Sequence, residues 1–318
     1  MTDIGLKITR GDATMLYATS QGSYTLRIHL RLDHRIDSQK LKSAVDKTAR
    51  RYPYFCVSLR RNEREYYYEV NDEPVVLIHT NKAVTLGAPE TNGHIWAVCY
   101  DEDELFIDFF HGRSDGTGVY SLLGTLLYYY FDEHDIPGIR TLDMPVTERE
   151  TRDPVDDLPL IDLSKIVFPA LPKALNLMKK SGLEHVNHKG LLLKLIIPED
   201  SFLPFTRSKD GTPGIMLSVL IARAIERIHP WHDEPLISNY VVNARPMLKA
   251  NDTFHNCTNR VVFHYDDRIR RMPLERQCTV YRGKTFIQVD EDVIVRGMAA
   301  AGSMAQMMEK RCSPSSLL

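Results

Sequence analysis

Residues 95–100 and 105–110 are two apolar runs separated by only four acidic residues, Asp101, Glu102, Asp103 and Glu104. A link that short joins antiparallel neighbours, because a parallel partner needs a crossover of roughly a dozen residues or more. The pair therefore reads as a hairpin. It runs straight into a turn, residues 111–115, and then into an apolar stretch, residues 117–131, that places Leu122, Leu123, Leu126, Leu127 and Tyr130 at helical core spacing. A hairpin that feeds a turn and a buried helix argues against a parallel, doubly wound sheet at this point. The fold class it predicts is α/β with largely antiparallel or mixed sheets flanked by helices.

The rest of the chain fits that class. Tyr24, Leu26, Ile28, Leu30 and Leu32 alternate with polar residues, the signature of a half-buried strand. Asp37 or Ser38 then caps a helix with Leu41, Val45, Thr48, Ala49 and Tyr52 on one face, and Pro53 ends it. Short strands are expected at 55–59, 65–70 and 75–78. Residues 132–185 hold six of the 17 prolines, which suits a linker or crossover, with a short lid-like helix at 166–178. A second cycle follows: a strand at 191–197, Thr212-Pro213 as cap and first turn, a helix at 215–228, strands at 236–242 and 260–265, and a terminal helix at 293–310. The 318 residues therefore divide into a subdomain at 1–135, a linker at 136–185 and a second subdomain at 186–318.

Composition narrows the function classes. Hydrophobic residues at 43% and charged ones at 26% exclude disorder, collagen and coiled coil as the main architecture. Forty basic against 42 acidic residues leave a formal charge of −2, so no overall basic field draws nucleic acid or an anionic membrane. No stretch approaches the roughly 18 apolar residues of a membrane span, and residues 1–10 lack the apolar core of a secretory signal. Cys56, Cys99, Cys257, Cys278 and Cys312 form no C-x-x-C pair, which points to reduced thiols and a cytoplasmic setting. His185 with His188, His229 with His232, and the group His255, Cys257 and His264 fall short of four ligands at metal spacing, so no metal is expected. Ser121 stands where a dinucleotide fingerprint needs its third glycine, and no P-loop occurs.

Chemistry concentrates at the turn after the hairpin. Its sequence reads as H-x-x-x-D-G through His111, Asp115 and Gly116, and as G-x-S-x-G through Gly112, Ser114 and Gly116; each pattern is expected by chance roughly 0.05 times in a chain of this composition. The serine pattern would be a nucleophile elbow, which belongs to a parallel sheet and requires an upstream H-G-G-G-like oxyanion loop; the sequence has none. The histidine pattern needs only a ring held between a buried strand and a helix with one nitrogen free. A histidine with its ordinary pKa near 6.5 is suited to general-base work. Gly116 would permit a tight backbone, and Asp115 would pair with an arginine to pin the loop.

Through Phe106 to Gly118 the chain resembles the chloramphenicol acetyltransferase-like superfamily, in the branch of alcohol O-acetyltransferases and peptide-synthetase condensation domains. The strand and helix ending in Arg50-Arg51-Tyr52-Pro53 resemble that family's opening, and Val242-Asn243-Ala244-Arg245-Pro246 its second-domain strand end. The resemblance implies two similar subdomains, the second incomplete because relatives run longer, with the histidine in a tunnel between them. It implies acyl transfer from a thioester, with acyl-CoA or an acyl carrier protein as carrier, to a small alcohol or amine. No permanent cofactor and no acyl-enzyme are implied. His111 would be the general base and Asp115, Gly116 and Arg245 structural, with Arg245 the salt-bridge partner of Asp115; Asn243 and Asn259 are weaker candidates to face substrate. Phe110 replaces the second histidine of condensation domains, which favours the acyltransferase branch, and the family's late D-F-G-W-G loop has no counterpart. Two alternatives stay open: a serine hydrolase using Ser114, and a non-catalytic relative.

Overall fold

The computed structural model describes residues 6–17, 25–62, 65–131, 146–166, 173–177, 195–230 and 232–311. The chain divides into two compact units: Met1–Lys165 with Asn243–Thr258 and Val295–Leu318, and Ile166–Val242 with Asn259–Ile294. The first unit therefore takes in a short segment from late in the sequence, and that segment matters for the site.

Within the first unit the order is β1 (Leu6–Lys7), α1 (Arg10–Tyr17), β2 (Thr25–Arg31), α2 (Ser38–Arg51), β3 (Val57–Arg61), β4 (Tyr66–Val70), β5 (Leu77–His79), β6 (Trp96–Asp101), β7 (Glu104–Phe110), α3 (Gly116–Tyr130) and α4 (Glu148–Thr151). The expected hairpin is present and tighter than its sequence suggests. Asp101 pairs with Glu104, so only Glu102 and Asp103 form the turn. Strand β7 is central in a mixed sheet of order β2–β7–β6–β5, antiparallel to β2 and β6, while β5 runs parallel to β6.

Alternation along β7 sets the layers. Leu105, Ile107 and Phe109 join Leu41 and Val45 of α2 and Leu122 and Leu126 of α3 in one buried cluster. Each such side chain contributes roughly 1.5–3 kcal/mol by leaving water. On the other face Asp108 is buried against Arg27, whose Nε donates to it at 2.6 Å. Helix α2 starts as expected: the Asp37 carboxylate accepts the Gln39 and Lys40 N–H groups at 2.9 and 3.0 Å. A second sheet, β1–β4–β3, is antiparallel throughout.

The second unit comprises α5 (Glu199–Ser208), α6 (Pro213–Ile228), β8 (Leu236–Asn243), β9 (Thr258–Tyr265), α7 (Asp267–Arg270), α8 (Leu274–Gln288) and the start of α9 (Glu291–Arg311). Thr212 caps α6 with Pro213 in its first turn, the expected pair. Ile215, Met216 and Val219 of α6 pack with Val261, Phe263 and Tyr265 of β9 and with Cys278 and Tyr281 of α8, where the Phe263 and Tyr281 rings stack at 4.2 Å. Ala305, far along α9, packs in the first unit with Ile8, Ala13, Val57, Tyr68 and Ile95.

The strand expected at 191–197 is corrected over its described part. Residues 195–197 form no strand, and Leu195 and Ile196 are 82% and 76% exposed, since no strand among the described residues receives them. The helix expected at 166–178 falls mostly outside the described residues. Helices α1, α5 and α8 carried too little pattern to be predicted. Pro204 interrupts α5, and α8 buries the polar Gln277 beside Cys278 and Tyr281, which blurs any apolar stripe. Among the described residues no helix is long and apolar enough to cross a membrane. Cys56, Cys99, Cys257 and Cys278 are free thiols, and burial pushes the Cys257 thiol up to about 12, far from a reactive thiolate; Cys312 lies outside the described residues.

Candidate active site

Strand β7 delivers the turn. Phe109 is held between Leu26 of β2 and Trp96 of β6, and the Phe110 N–H donates to Ile95 O at 2.9 Å. The chain leaves the sheet at His111 and enters α3 through Asp115, its N-cap, whose Oδ1 accepts the Gly118 N–H at 3.0 Å. A carboxylate there satisfies an orphan helix N–H and faces the positive end of the helix dipole.

Asp115 does more than cap. Arg245 Nη1 donates to its Oδ2 and Nη2 to its Oδ1, both at 2.8 Å, and the Cys257 N–H donates to Oδ2 at 2.9 Å. The pair is 2% exposed on both sides. Buried charges are tolerable only when their hydrogen-bonding capacity is filled, and here it is. The remaining Arg245 donors reach Thr253 O, Asn243 Oδ1 and His255 O at 3.1, 3.3 and 2.7 Å. The two residues paired from sequence thus meet in a bidentate fork.

Ser114 is walled in. Its side chain is fully buried and its Oγ–H points at Phe254 O at 2.6 Å rather than at a base. The glycine that matters to the backbone is Gly118, where a Cβ would lie 2.3 Å from Phe254 O. Gly116, expected to permit a tight turn, has no positive φ, and a Cβ there would meet nothing within 4 Å.

His111 is partly exposed. Its Nδ1 lies 3.0 Å from Ser114 O. A carbonyl only accepts, so Nδ1 carries the proton and Nε2 keeps its lone pair. Among the described residues Nε2 has no hydrogen-bond partner. Beside the ring stands Asn256, 6% exposed, whose Nδ2 donates to His111 O at 3.1 Å; it also lies 3.2 Å from Nδ1, but two N–H groups do not bond each other, so that approach is a packing contact. Four consecutive residues close on the turn: Phe254 O takes Ser114 Oγ, His255 O takes Arg245, the Asn256 amide meets His111, and the Cys257 N–H meets Asp115. Residues 253–258 form a clamp on the motif.

Behind the turn lies a second buried polar cluster. Arg113 is fixed by Asp12 Oδ2 at 3.1 Å, by Tyr54 O, and by the Tyr54 and Tyr68 rings, 3.7 and 4.5 Å from its guanidinium carbon. His255 donates from Nε2 to Thr151 O at 2.8 Å and faces Asp12 Oδ1 through Nδ1 at 2.9 Å. With an acceptor at each nitrogen the ring is an imidazolium. Burial opposes that charge, but Asp12 and Asp153 outweigh it and raise the His255 pKa above its ordinary value; burial likewise opposes the Asp12 charge, yet His255 and Arg113 hold its carboxyl low. Asp12, Asp153 and His255 have ligand-type atoms within 4.8 Å of one another, but Arg113 takes Asp12 Oδ2 and both His255 nitrogens face acceptors.

Of the other residues singled out in sequence, Asn243 uses its Oδ1 on the Arg245 N–H at 3.1 Å, and Asn259, in the second unit, uses its own on the Arg260 N–H at 2.7 Å. Asn256, Asp12 and Asp153 are not singled out in sequence, and His255 only in a group with Cys257 and His264 that falls short of a metal set. Their partners lie 101 to 243 positions away, a distance local pattern does not register.

The sequence matches no family model, and no curated protein matches it. Solved structures do. TRI101 of F. sporotrichioides, solved with coenzyme A and T-2, has a TM-score of 0.63 at 12% identity over 98% of this chain and 80% of that one. The TRI3 trichothecene 15-O-acetyltransferase from Fusarium sporotrichioides gives 0.60 at 12% over 96% and 76%. The first condensation domain of the CDA synthetase gives 0.55 at 13% over 92% and 76%. The chain therefore shares the fold of these acetyltransferases and of the condensation domain, as its resemblance at the sequence level leads one to expect.

Proposed function

We propose that this chain transfers an acyl group from a thioester to a small alcohol or amine, with His111 as general base. The observation that carries the reading is the His111 ring itself, with Nδ1–H committed to Ser114 O and a bare Nε2. An acceptor hydroxyl gives its proton to Nε2 as its oxygen attacks the thioester carbonyl carbon. Collapse of the tetrahedral adduct breaks the C–S bond, and Nε2–H returns the proton to the leaving thiolate. Ester and free thiol are the products, and the imidazole ends as it began. Acyl-CoA is the favoured donor, in keeping with the coenzyme A bound by TRI101; an acyl carrier protein is the other carrier, in keeping with the condensation-domain likeness. The chemistry needs no permanent cofactor.

The serine-hydrolase alternative is disfavoured by the burial of Ser114 and by its bond to Phe254. Free-thiol release from a panel of acyl-CoAs with small alcohols and amines separates the readings. His111→Ala should cost about 10²- to 10⁴-fold, while Ser114→Ala keeps most activity of whatever protein folds. Loss confined to Ser114→Ala would overturn the reading, and no thiol release from the wild type under any pairing would favour a non-catalytic relative.

A further inference from the structure

A general base needs more than a free nitrogen. Its ring must stay in one orientation and one tautomer, and a single bond from Nδ1 to a turn carbonyl leaves it free to swing. The His111 main-chain carbonyl, at the point where the chain quits the sheet, also needs a donor. One amide supplies that donor and stands against the ring without bonding Nδ1–H. Asn256 Nδ2 is 3.1 Å from His111 O and 3.2 Å from Nδ1.

That amide has only one possible orientation. Its Oδ1 accepts the Thr258 N–H at 3.0 Å and the Thr258 hydroxyl at 2.7 Å, so an exchange of oxygen and nitrogen would set two donors against each other and leave His111 O facing an oxygen. Its backbone is equally fixed, because His255 O is held by Arg245 and the Cys257 N–H by Asp115. The donor next to His111 is therefore preorganised and buried, at the centre of the clamp.

We propose that Asn256 is the positioning residue of the base: its amide holds the His111 carbonyl, and so keeps the ring where Nδ1–H reaches Ser114 O and Nε2 stays bare. The catalytic part of this inference rests on the acyltransferase reading; the ring's tautomer does not. The role requires a donor at this place, and shape alone does not meet it. An aspartate has the same outline but would put an oxygen against His111 O and offer Nδ1–H a rival acceptor to Ser114 O.

Kinetics of the variants and the spectrum of the ring decide it. In thiol-release assays Asn256→Ala should lower kcat about 10- to 100-fold with KM little changed. Asn256→Asp should be at least as impaired, although it is nearly isosteric, with thermal melts confirming that each variant folds. In a His111→Ala background Asn256→Ala should remove less than about twofold more, because it acts through the ring. Independently of activity, imidazole ¹⁵N shifts should show the His111 Nδ1–H tautomer in the wild type and a mixture in Asn256→Ala. If the wild type releases no thiol, the acyltransferase reading fails and the ¹⁵N spectra still decide the positioning role. An Asn256→Asp variant with wild-type kcat, or an Asn256→Ala variant with an unchanged His111 spectrum, would overturn the proposal.

Discussion

At the scale of single residues, the site is governed by complete hydrogen-bond accounts. Every N–H of the Arg245 guanidinium is used, two of them on Asp115, and both Asp115 oxygens accept twice. Removing one member leaves the other as an unpaired buried charge, which costs about 3–5 kcal/mol. Arg245→Ala should therefore lower the free energy of unfolding by about that amount in urea titrations. Arg245→Lys should recover only part of it, because an ammonium cannot span the carboxylate fork while also reaching Thr253 O and His255 O. An Arg245→Ala protein within about 1 kcal/mol of wild type would show that the pair is structurally idle.

At the scale of elements, α3 and α1 are held to the turn by different means. Helix α3 touches the clamp through a missing side chain. Gly118→Ala would drive a methyl into Phe254 O, a rigid backbone atom, and should destabilise by about 1–3 kcal/mol or more; Gly116→Ala, one helical half-turn earlier, should be neutral or stabilising by about 0.4–1 kcal/mol. Comparable losses in the two variants would refute the distinction. The first turn of α1 is tied by charge: Arg10 N–H to Asp156, Gly11 N–H to Asp153, and Asp12 to Arg113 and His255. The His255 pKa is raised above 6.5, so its contribution is complete below that value and is lost as pH climbs through the folded-state value. The Asp12 pKa is lowered from 3.8, so its contribution is present above that value and is lost as pH falls through the lowered one. Amide-exchange protection of α1, corrected for intrinsic rates, should fall on both sides of this window, and His255→Gln should abolish the alkaline fall. Protection that stays flat across the alkaline range would count against the tie. Where pattern was strong the sequence told the truth about elements: the alternating β2, the capped α2 and the apolar α3 all lie where periodicity put them. It was silent on α1 because an eight-residue helix, held by acids more than 140 positions away, needs no apolar stripe of its own.

At the scale of the whole molecule, the legible part of the site was the part written contiguously, His111 to Gly118. Asp115 and Arg245 could be matched only because their chemistry demands a partner and the resemblance supplied a second strand end. Asn256 stands among residues that read as an ordinary loop before a strand, and only folding shows which side chain it meets. The first unit is thus a composite: its His111 turn is written early, and the residues that lock that turn arrive much later. This has a consequence for the chain during its synthesis. Asp115 emerges from the ribosome 130 residues before Arg245 and 142 before the Cys257 N–H. At roughly 5–20 residues per second the turn waits on the order of ten seconds for its partners. Until then the turn lacks every partner that residues 253–258 supply, so the site cannot be complete before a segment more than 130 positions later has been made.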